Sequence, residues 1–205
     1  MTLLAYSGLF IISYLFGSFP SAYIVLKIFQ KKDIRKEGSG NVGAMNALRT
    51  SKSKSLALVV LLLDLIKGAL PAWYFTRIVE ADYLFLITLV CGVLLGHTFP
   101  IWLKFKGGRG LAVVAGALLV LEPILVLLWI IIWGVFFLLI RKHIIASMIA
   151  TFTLPFIVYF TQGIYFSRDV LIMILPVCLL IFQRHLERLP DIVNEKRKSI
   201  KNGEI

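Results

Sequence analysis

Residues 111–140 read LAVVAGALLVLEPILVLLWIIIWGVFFLLI, a thirty-residue apolar run broken only by Glu122-Pro123. Crossing about 30 Å of hydrocarbon takes roughly 17–25 helical residues, so the run is either one tilted helix or two helices meeting at the Glu-Pro pair. Proline removes a helix donor and disfavours helix in the residue before it, which makes Glu122 a natural stopping place. Outward from this run, further apolar stretches lie at 3–29, 55–74 and 83–103 on one side and at 144–163 and 170–182 on the other. The 205-residue chain is 59% hydrophobic and only 16% charged, against about half and a quarter in soluble domains. That composition specifies an integral membrane protein. Disordered, fibrous and disulfide-stapled classes are excluded, since Cys91 and Cys178 both lie inside apolar runs.

Charge placement decides between one helix and two. The chain carries 22 Lys and Arg against 11 Asp and Glu, a net charge of +11. If the run is two helices, there are seven spans, and 19 cations fall on one face while only Arg77 and Arg168 fall on the other, with Lys67 inside a span. If it is one helix, the split drops to 12 against 9. The positive-inside rule therefore predicts seven transmembrane helices, the amino terminus outside and the tail in the cytoplasm. The first apolar stretch is too long for a signal-peptide core and has no basic leader, so it is expected to stay as a span. No internal repeat is apparent, and the tail 183–205 is too short for a core of its own. The expected architecture is a single all-α membrane domain, 1–205.

Chemistry then has to reside in two cytoplasmic loops and the tail. The first loop contains EGSGNVGAMNALR, which sets Gly38, Gly40 and Gly43 among Ser39, Asn41 and Asn46 and follows them with Arg49. Glycines there allow backbone N–H groups to turn toward an anion, and a guanidinium fork matches phosphate oxygens. The flanking Lys31, Lys32, Lys52 and Lys54 read as anchors on the membrane surface. Residues 42–48 are apolar enough to dip back into the interface as a re-entrant segment. The second loop, GHTFPIWLKFKGGRG at 96–110, places Lys106, Gly107, Gly108 and Arg109 just ahead of a helix, where exposed N–H groups and the helix dipole also favour an anion. His97 ends the preceding span and His185 opens the tail. Asp64 and Lys67, spaced i, i+3 inside a span, are expensive there and need partners; they read as a structural element.

GSGNVGAMNALR, GHTFPIWLKFKGGRG and the tail's RH resemble the three signature regions of the bacterial acyl-phosphate:glycerol-3-phosphate acyltransferases, the PlsY family of seven-span membrane enzymes. The resemblance extends to YLFGSFPSAYIV in the first span and DLIKGALP in the second. It implies acyl transfer from an acyl phosphate to the 1-hydroxyl of glycerol 3-phosphate, giving lysophosphatidic acid and phosphate for phospholipid biosynthesis at the bacterial inner membrane. It implies no metal or other cofactor, and no nucleic-acid partner; the partners are the two substrates and membrane lipids. By similarity Gly38, Ser39, Gly40, Asn41, Asn46 and Arg49 form a first, phosphate-binding motif, and His97, Lys106, Gly107, Gly108 and Arg109 a second. His185 represents the third, and Ser147 corresponds to a serine near the fifth span. Ser39, Arg49, His97, Arg109 and His185 are the expected catalytic residues. The chain departs from the family at Met45 and Val113, where threonine is usual, at Arg109 (lysine), Ile144 (serine) and Arg188 (asparagine). Two rival readings are a phosphate-ester transporter and a non-catalytic lipid-binding paralogue. Transporters usually bind at the bilayer midplane between related halves, whereas here the glycine-cation loops gather at one surface.

Overall fold

The computed structural model of the chain describes residues 2–77, 79 and 81–187; Arg188 lies outside them. The described residues form nine α-helices and group into two compact units, Met1–Leu128 and Trp129–Ile205.

The first unit holds α1 (Leu3–Gly17), α2 (Ser21–Gln30), α3 (Ala44–Ser51), α4 (Lys54–Arg77), α5 (Tyr83–Thr98), α6 (Leu111–Leu121) and the start of α7 (Pro123–Ile140). Helix α1 packs on α5 and α4 packs on α6. Both contacts are made through glycine. A Cβ at Gly17 would overlap the Val93 carbonyl and one at Gly96 the Tyr14 carbonyl; Gly68 and Gly116 stand in the same relation to Val113 and Leu65. In hydrocarbon no water is released when apolar helices meet, so close backbone approach between small residues provides the attraction. Gly68→Ala is therefore expected to lower stability by about 1–3 kcal/mol through overpacking, read as a lowered melting temperature in detergent, while Gly134→Ala, with open space around it, should leave it unchanged.

The thirty-residue run divides where the Glu-Pro pair predicts. Helix α6 ends at Leu121, the Glu122 N–H closes onto the Leu118 carbonyl at 2.8 Å, and α7 starts at Pro123. Tyr83 donates to the Glu122 carboxylate at 3.0 Å. At eleven residues α6 is short, about 16 Å at 1.5 Å per residue. Six described segments are long and apolar enough to cross a membrane, with Leu3–Gln30 taken together, and α6 is a seventh, shorter apolar helix.

The first stretch is one candidate span, Leu3–Gln30, built of two helices. Residues 3–29 are not one helix: α1 ends at Gly17 and α2 begins at Ser21, with Ser18, Phe19 and Pro20 between them. Proline 20 has no N–H to continue the α1 ladder. The break is tied down from elsewhere, since Trp102 donates its indole N–H to the Ser18 hydroxyl at 2.9 Å and the Tyr14 hydroxyl donates to the Phe99 carbonyl at 2.7 Å.

The second unit holds the rest of α7, α8 (His143–Thr161) and α9 (Arg168–Leu186). Its aromatic side chains carry their polar atoms to partners: Trp129 donates to Thr151 at 3.0 Å and Trp133 to His143 Nδ1 at 3.2 Å. Helices α8 and α9 enclose an apolar cavity of about 520 Å³ walled by Phe152, Phe156 and Phe160 on one side and Leu171, Leu175 and Leu179 on the other.

Candidate functional site

Asn46, at the start of α3, organises the first loop. It is buried, its amide N–H₂ donates to the carbonyls of Asn41 (2.9 Å), Glu37 (3.1 Å) and Ile34 (3.3 Å), and its Oδ1 accepts the Ser39 N–H at 2.8 Å. One side chain thus gathers four backbone groups of the preceding twelve residues. Gly38 takes φ +55°, and a Cβ there would lie 2.5 Å from Asn46 Oδ1, so the turn and the amide require each other. Gly40, at φ +68°, donates its N–H to the Glu37 carbonyl at 2.9 Å. Two expectations change. The donors of Asn46 are committed to the loop rather than to a phosphate, and the N–H groups of Ser39 and Gly40 turn inward rather than toward an anion.

The loop's entry is held by Asp33, which accepts from the Arg35 backbone at 3.1 Å and from its guanidinium at 2.7 and 2.9 Å. The guanidinium hydrogen bond is the main reason the Asp33 carboxyl titrates low, at about 2. A lowered carboxyl stabilises the fold from its ordinary range upward and gives way only as pH falls through about 2, so this anchor holds at every physiological pH. Arg35 also lies over the Tyr23 ring at 4.9 Å. Lys32 is not merely a surface anchor: its ammonium caps α3 by donating to the Thr50 carbonyl at 3.0 Å, beside Gln30, which donates to Ser51 at 3.0 Å. Of residues 42–48, Val42 and Gly43 lead into the amphipathic α3 and the rest begin it; its Ala47 is buried with Val42 against Ala22, Leu26, Val60 and Leu103. Arg49 and Met45 stay exposed on its outer side.

Leu103 belongs to the second loop, so the two glycine segments meet over one buried cluster. The second loop folds back on the end of α5. Gly107 donates its N–H to the Thr98 carbonyl at 3.1 Å and Gly108 to the His97 carbonyl at 3.0 Å. A Cβ on Gly107 would strike the His97 carbonyl and the Pro100 ring, and one on Gly108 would fall on His97 Nε2. Here too the expected anion-facing N–H groups of Gly107 and Gly108 bind protein, and these glycines serve by lying flat against His97. What faces outward is Lys106, exposed, and Arg109, half-buried, followed by the first turn of α6, whose N-cap Gly110 (φ +85°) provides no side-chain cap.

Beneath this turn lies a buried polar cluster built around the Asp64–Lys67 pair. Asp64 Oδ1 accepts from Ser21 Oγ at 2.5 Å and from Lys67 Nζ at 2.8 Å, and His97 Nδ1 stands 3.8 Å away. Lys67 also donates to the Phe19 carbonyl at 2.6 Å, where a cation suits the carbonyl end of α1. All four side chains are buried. Around them, Ser21, Val42, Lys67, His97 and Gly107 line a void of about 10 Å³, the room of one water. Ser21 escaped sequence reading; the signal for it was the neighbouring Pro20, which interrupts an apolar run and places the next residue at a helix start.

Ser147 and His185 belong to the second unit. Ser147 is fully buried and donates its hydroxyl to the His143 carbonyl at 2.9 Å. His185 is buried with Nδ1 2.7 Å from the Ile181 carbonyl. A carbonyl only accepts, so Nδ1 carries a hydrogen.

The sequence and fold that carry this geometry, two glycine segments folded over a buried carboxylate–histidine cluster, have counterparts among known proteins. Residues 7–195 match the family described as glycerol-3-phosphate acyltransferase. The glycerol-3-phosphate acyltransferase of Pelagibacter ubique is 41% identical over 189 residues, covering 92% of this chain and 94% of its own length. That of Ehrlichia canis is 35% identical, covering 95% and 98%. Among solved structures, the crystal structure of PlsY, an integral membrane glycerol 3-phosphate acyltransferase, superposes in its glycerol 3-phosphate form with a TM-score of 0.79 at 30% identity, covering 93% of this chain and 92% of that one. Its lysophosphatidic acid form gives 0.77 at 29% identity. Motifs, membrane helices and relatives that match along nearly their whole length agree, and the chain belongs to the glycerol-3-phosphate acyltransferase family of integral membrane enzymes.

Proposed function

We propose that the acyl donor is an acyl phosphate and that the chain transfers its acyl group to the 1-hydroxyl of glycerol 3-phosphate, forming lysophosphatidic acid and releasing phosphate. The observation that carries the reading is that the loop bearing Arg49 and the loop bearing Lys106 and Arg109 meet over one buried cluster, with Arg49 and Lys106 exposed and Arg109 half-buried. Both substrates bring a phosphate, and cations on two loops that meet suit two such groups. An acyl phosphate is a mixed anhydride and needs no covalent help from the protein. The hydroxyl oxygen attacks the carbonyl carbon, the bond from that carbon to the phosphate oxygen breaks, and phosphate leaves with the electron pair and ends with the hydroxyl proton. Arg109 and Lys106 neutralise the charge that grows on the leaving group, while Arg49 holds the acceptor's phosphate. The acyl chain needs an apolar environment, which the hydrocarbon of the bilayer supplies.

The charge distribution supports loops and tail in the cytoplasm with the amino terminus outside, in the inner membrane of a bacterium. There one substrate arrives from water and the other from the bilayer. The deciding experiment incubates purified protein with glycerol 3-phosphate and, separately, acyl phosphate, acyl-CoA or acyl-carrier protein, and follows lysophosphatidic acid and free phosphate. Product from acyl phosphate alone is expected; product from a thioester alone overturns the donor assignment. In the same assay Arg109→Ala should lower kcat/KM by roughly 10²-fold, the range for losing one donor to developing charge. Arg109→Lys, which restores the residue usual in the family, should stay within about tenfold, since charge is kept and only the fork is lost.

A further inference from the structure

We infer that the groove between α8 and α9 binds one phospholipid with a zwitterionic headgroup, an acyl chain lying between the helices, the phosphate at Arg168 and the ammonium at Asp169. The inference is independent of the acyl-transfer reading, since every residue it uses belongs to the second unit.

The groove is apolar along its whole depth. From Leu171 to Phe182 it follows α9 for about 16 Å at 1.5 Å per residue, close to the roughly 15 Å that is one leaflet's share of the hydrocarbon. Neither helix contains a glycine, so the backbones have no notch through which to approach as α1 and α5 do. Each carries a proline within this length, Pro155 and Pro176, which breaks its hydrogen-bond ladder, and Pro155 lies in the wall. Left empty, such a space would forfeit the dispersion contacts of its whole lining. In a bilayer a hydrocarbon chain fills it.

The end of the groove selects a lipid over other apolar occupants. Tyr159, Leu171 and Leu175 line both the groove and the space that continues it to Gln162 and Arg168. Tyr165 and Arg168 are exposed there, as aromatic and basic side chains are where hydrocarbon gives way to headgroups. Arg168 opens α9, and Ser167 before it provides no side-chain cap, so the helix dipole and first-turn N–H groups add to the guanidinium's attraction for a phosphate. Asp169 follows, exposed as well. Neither side chain forms an ion pair among the described residues. One positive and one negative charge side by side suit a headgroup that carries both a phosphate and an amine, and Asp169 repels one that is purely anionic. By the positive-inside count this end faces the outer leaflet.

The test places the full chain in phosphatidylglycerol nanodiscs doped with either phosphatidylethanolamine or phosphatidylglycerol that carries a photoactivatable diazirine midway along one acyl chain. Crosslinked residues are then mapped by mass spectrometry. Phosphatidylethanolamine should label Phe156 and Leu175 about fivefold more than Ile131 and Val135, which are exposed on α7 and meet bulk lipid, a ratio matching one interfacial charge contact. Unlabelled phosphatidylethanolamine should compete, and diacylglycerol, which lacks the phosphate, should not. Arg168→Ala should remove the enrichment, and Asp169→Asn should remove the preference for phosphatidylethanolamine over phosphatidylglycerol. Both positions are exposed, so neither change threatens the fold. Equal labelling of the groove and α7 means contact with bulk bilayer only and overturns the proposal, as does enrichment that survives Arg168→Ala. Equal labelling by the two headgroups overturns the zwitterionic assignment. A groove that neither lipid labels overturns the proposal as well, and a dimer in native mass spectrometry would then name a second copy of the chain as its cover.

Discussion

Asn46→Ala is expected to abolish acyl transfer while leaving the membrane helices folded. The substitution leaves the carbonyls of Ile34, Glu37 and Asn41 and the N–H of Ser39 without the side chain that collects them. An orphaned buried polar group costs about 1–3 kcal/mol. Water can reach part of this loop, so a total of roughly 3–5 kcal/mol is a fair reckoning, equivalent to about three orders of magnitude in the population of the closed loop. The activity should fall by a similar factor. Asn46→Asp separates the contributions: its carboxylate still accepts from Ser39, but it repels the three carbonyls that the amide served. It should be as damaging as alanine, and wild-type activity in Asn46→Asp would show that the carbonyl bonds do not hold the loop. Hydrogen exchange offers a second readout, with faster exchange expected at Ser39 and Gly40 and none of the increase reaching the centre of α5.

Gly108→Ala should also be severe, for a different reason. The added methyl would occupy the position of His97 Nε2, and neither side can yield cheaply. The backbone of residue 108 is bound to the His97 carbonyl, and the ring is enclosed by buried groups on its Nδ1 side. The outcome is displacement of the ring or of the Arg109 turn by an ångström or more. Misplacement on that scale costs about 10²-fold in a positioned reaction, so the fall in kcat/KM should be roughly 10²-fold. Because the loss is of alignment and not of the helix bundle, the melting temperature should drop by only a few degrees. A Gly108→Ala enzyme with near-normal kcat would mean that the ring and the turn do not work in contact.

Comparing these residues with their appearance in the sequence shows where local reading succeeds. Apolar length and the Glu122-Pro123 interruption are properties of a few adjacent residues, and they sufficed for the membrane class and for the division between α6 and α7. The glycine-cation segments were also visible, because glycine beside Arg or Lys is a local pattern. Their inner workings were not. Asn46 was expected to bind phosphate, yet its partners lie five to twelve residues earlier, and nothing in the spacing says which carbonyls a buried amide will meet. The same holds for Gly107 and Gly108, whose N–H groups return to the end of α5. The break at residues 18–20 was overlooked because a proline near the end of a long apolar stretch disturbs hydropathy very little.

What the sequence determined by itself, then, was membrane insertion and the sites of its chemical motifs, since partition into hydrocarbon depends on composition summed over a helix length. Which polar groups work together was decided only by tertiary packing. Ser21, Asp64 and His97 are separated by 43 residues and then by 33, and they meet because helices notched by glycine bring α1 against α5 and α4 against α6. A buried charge takes its meaning from the groups within a few ångströms of it, and those neighbours are set by the packing of backbones rather than by order along the chain.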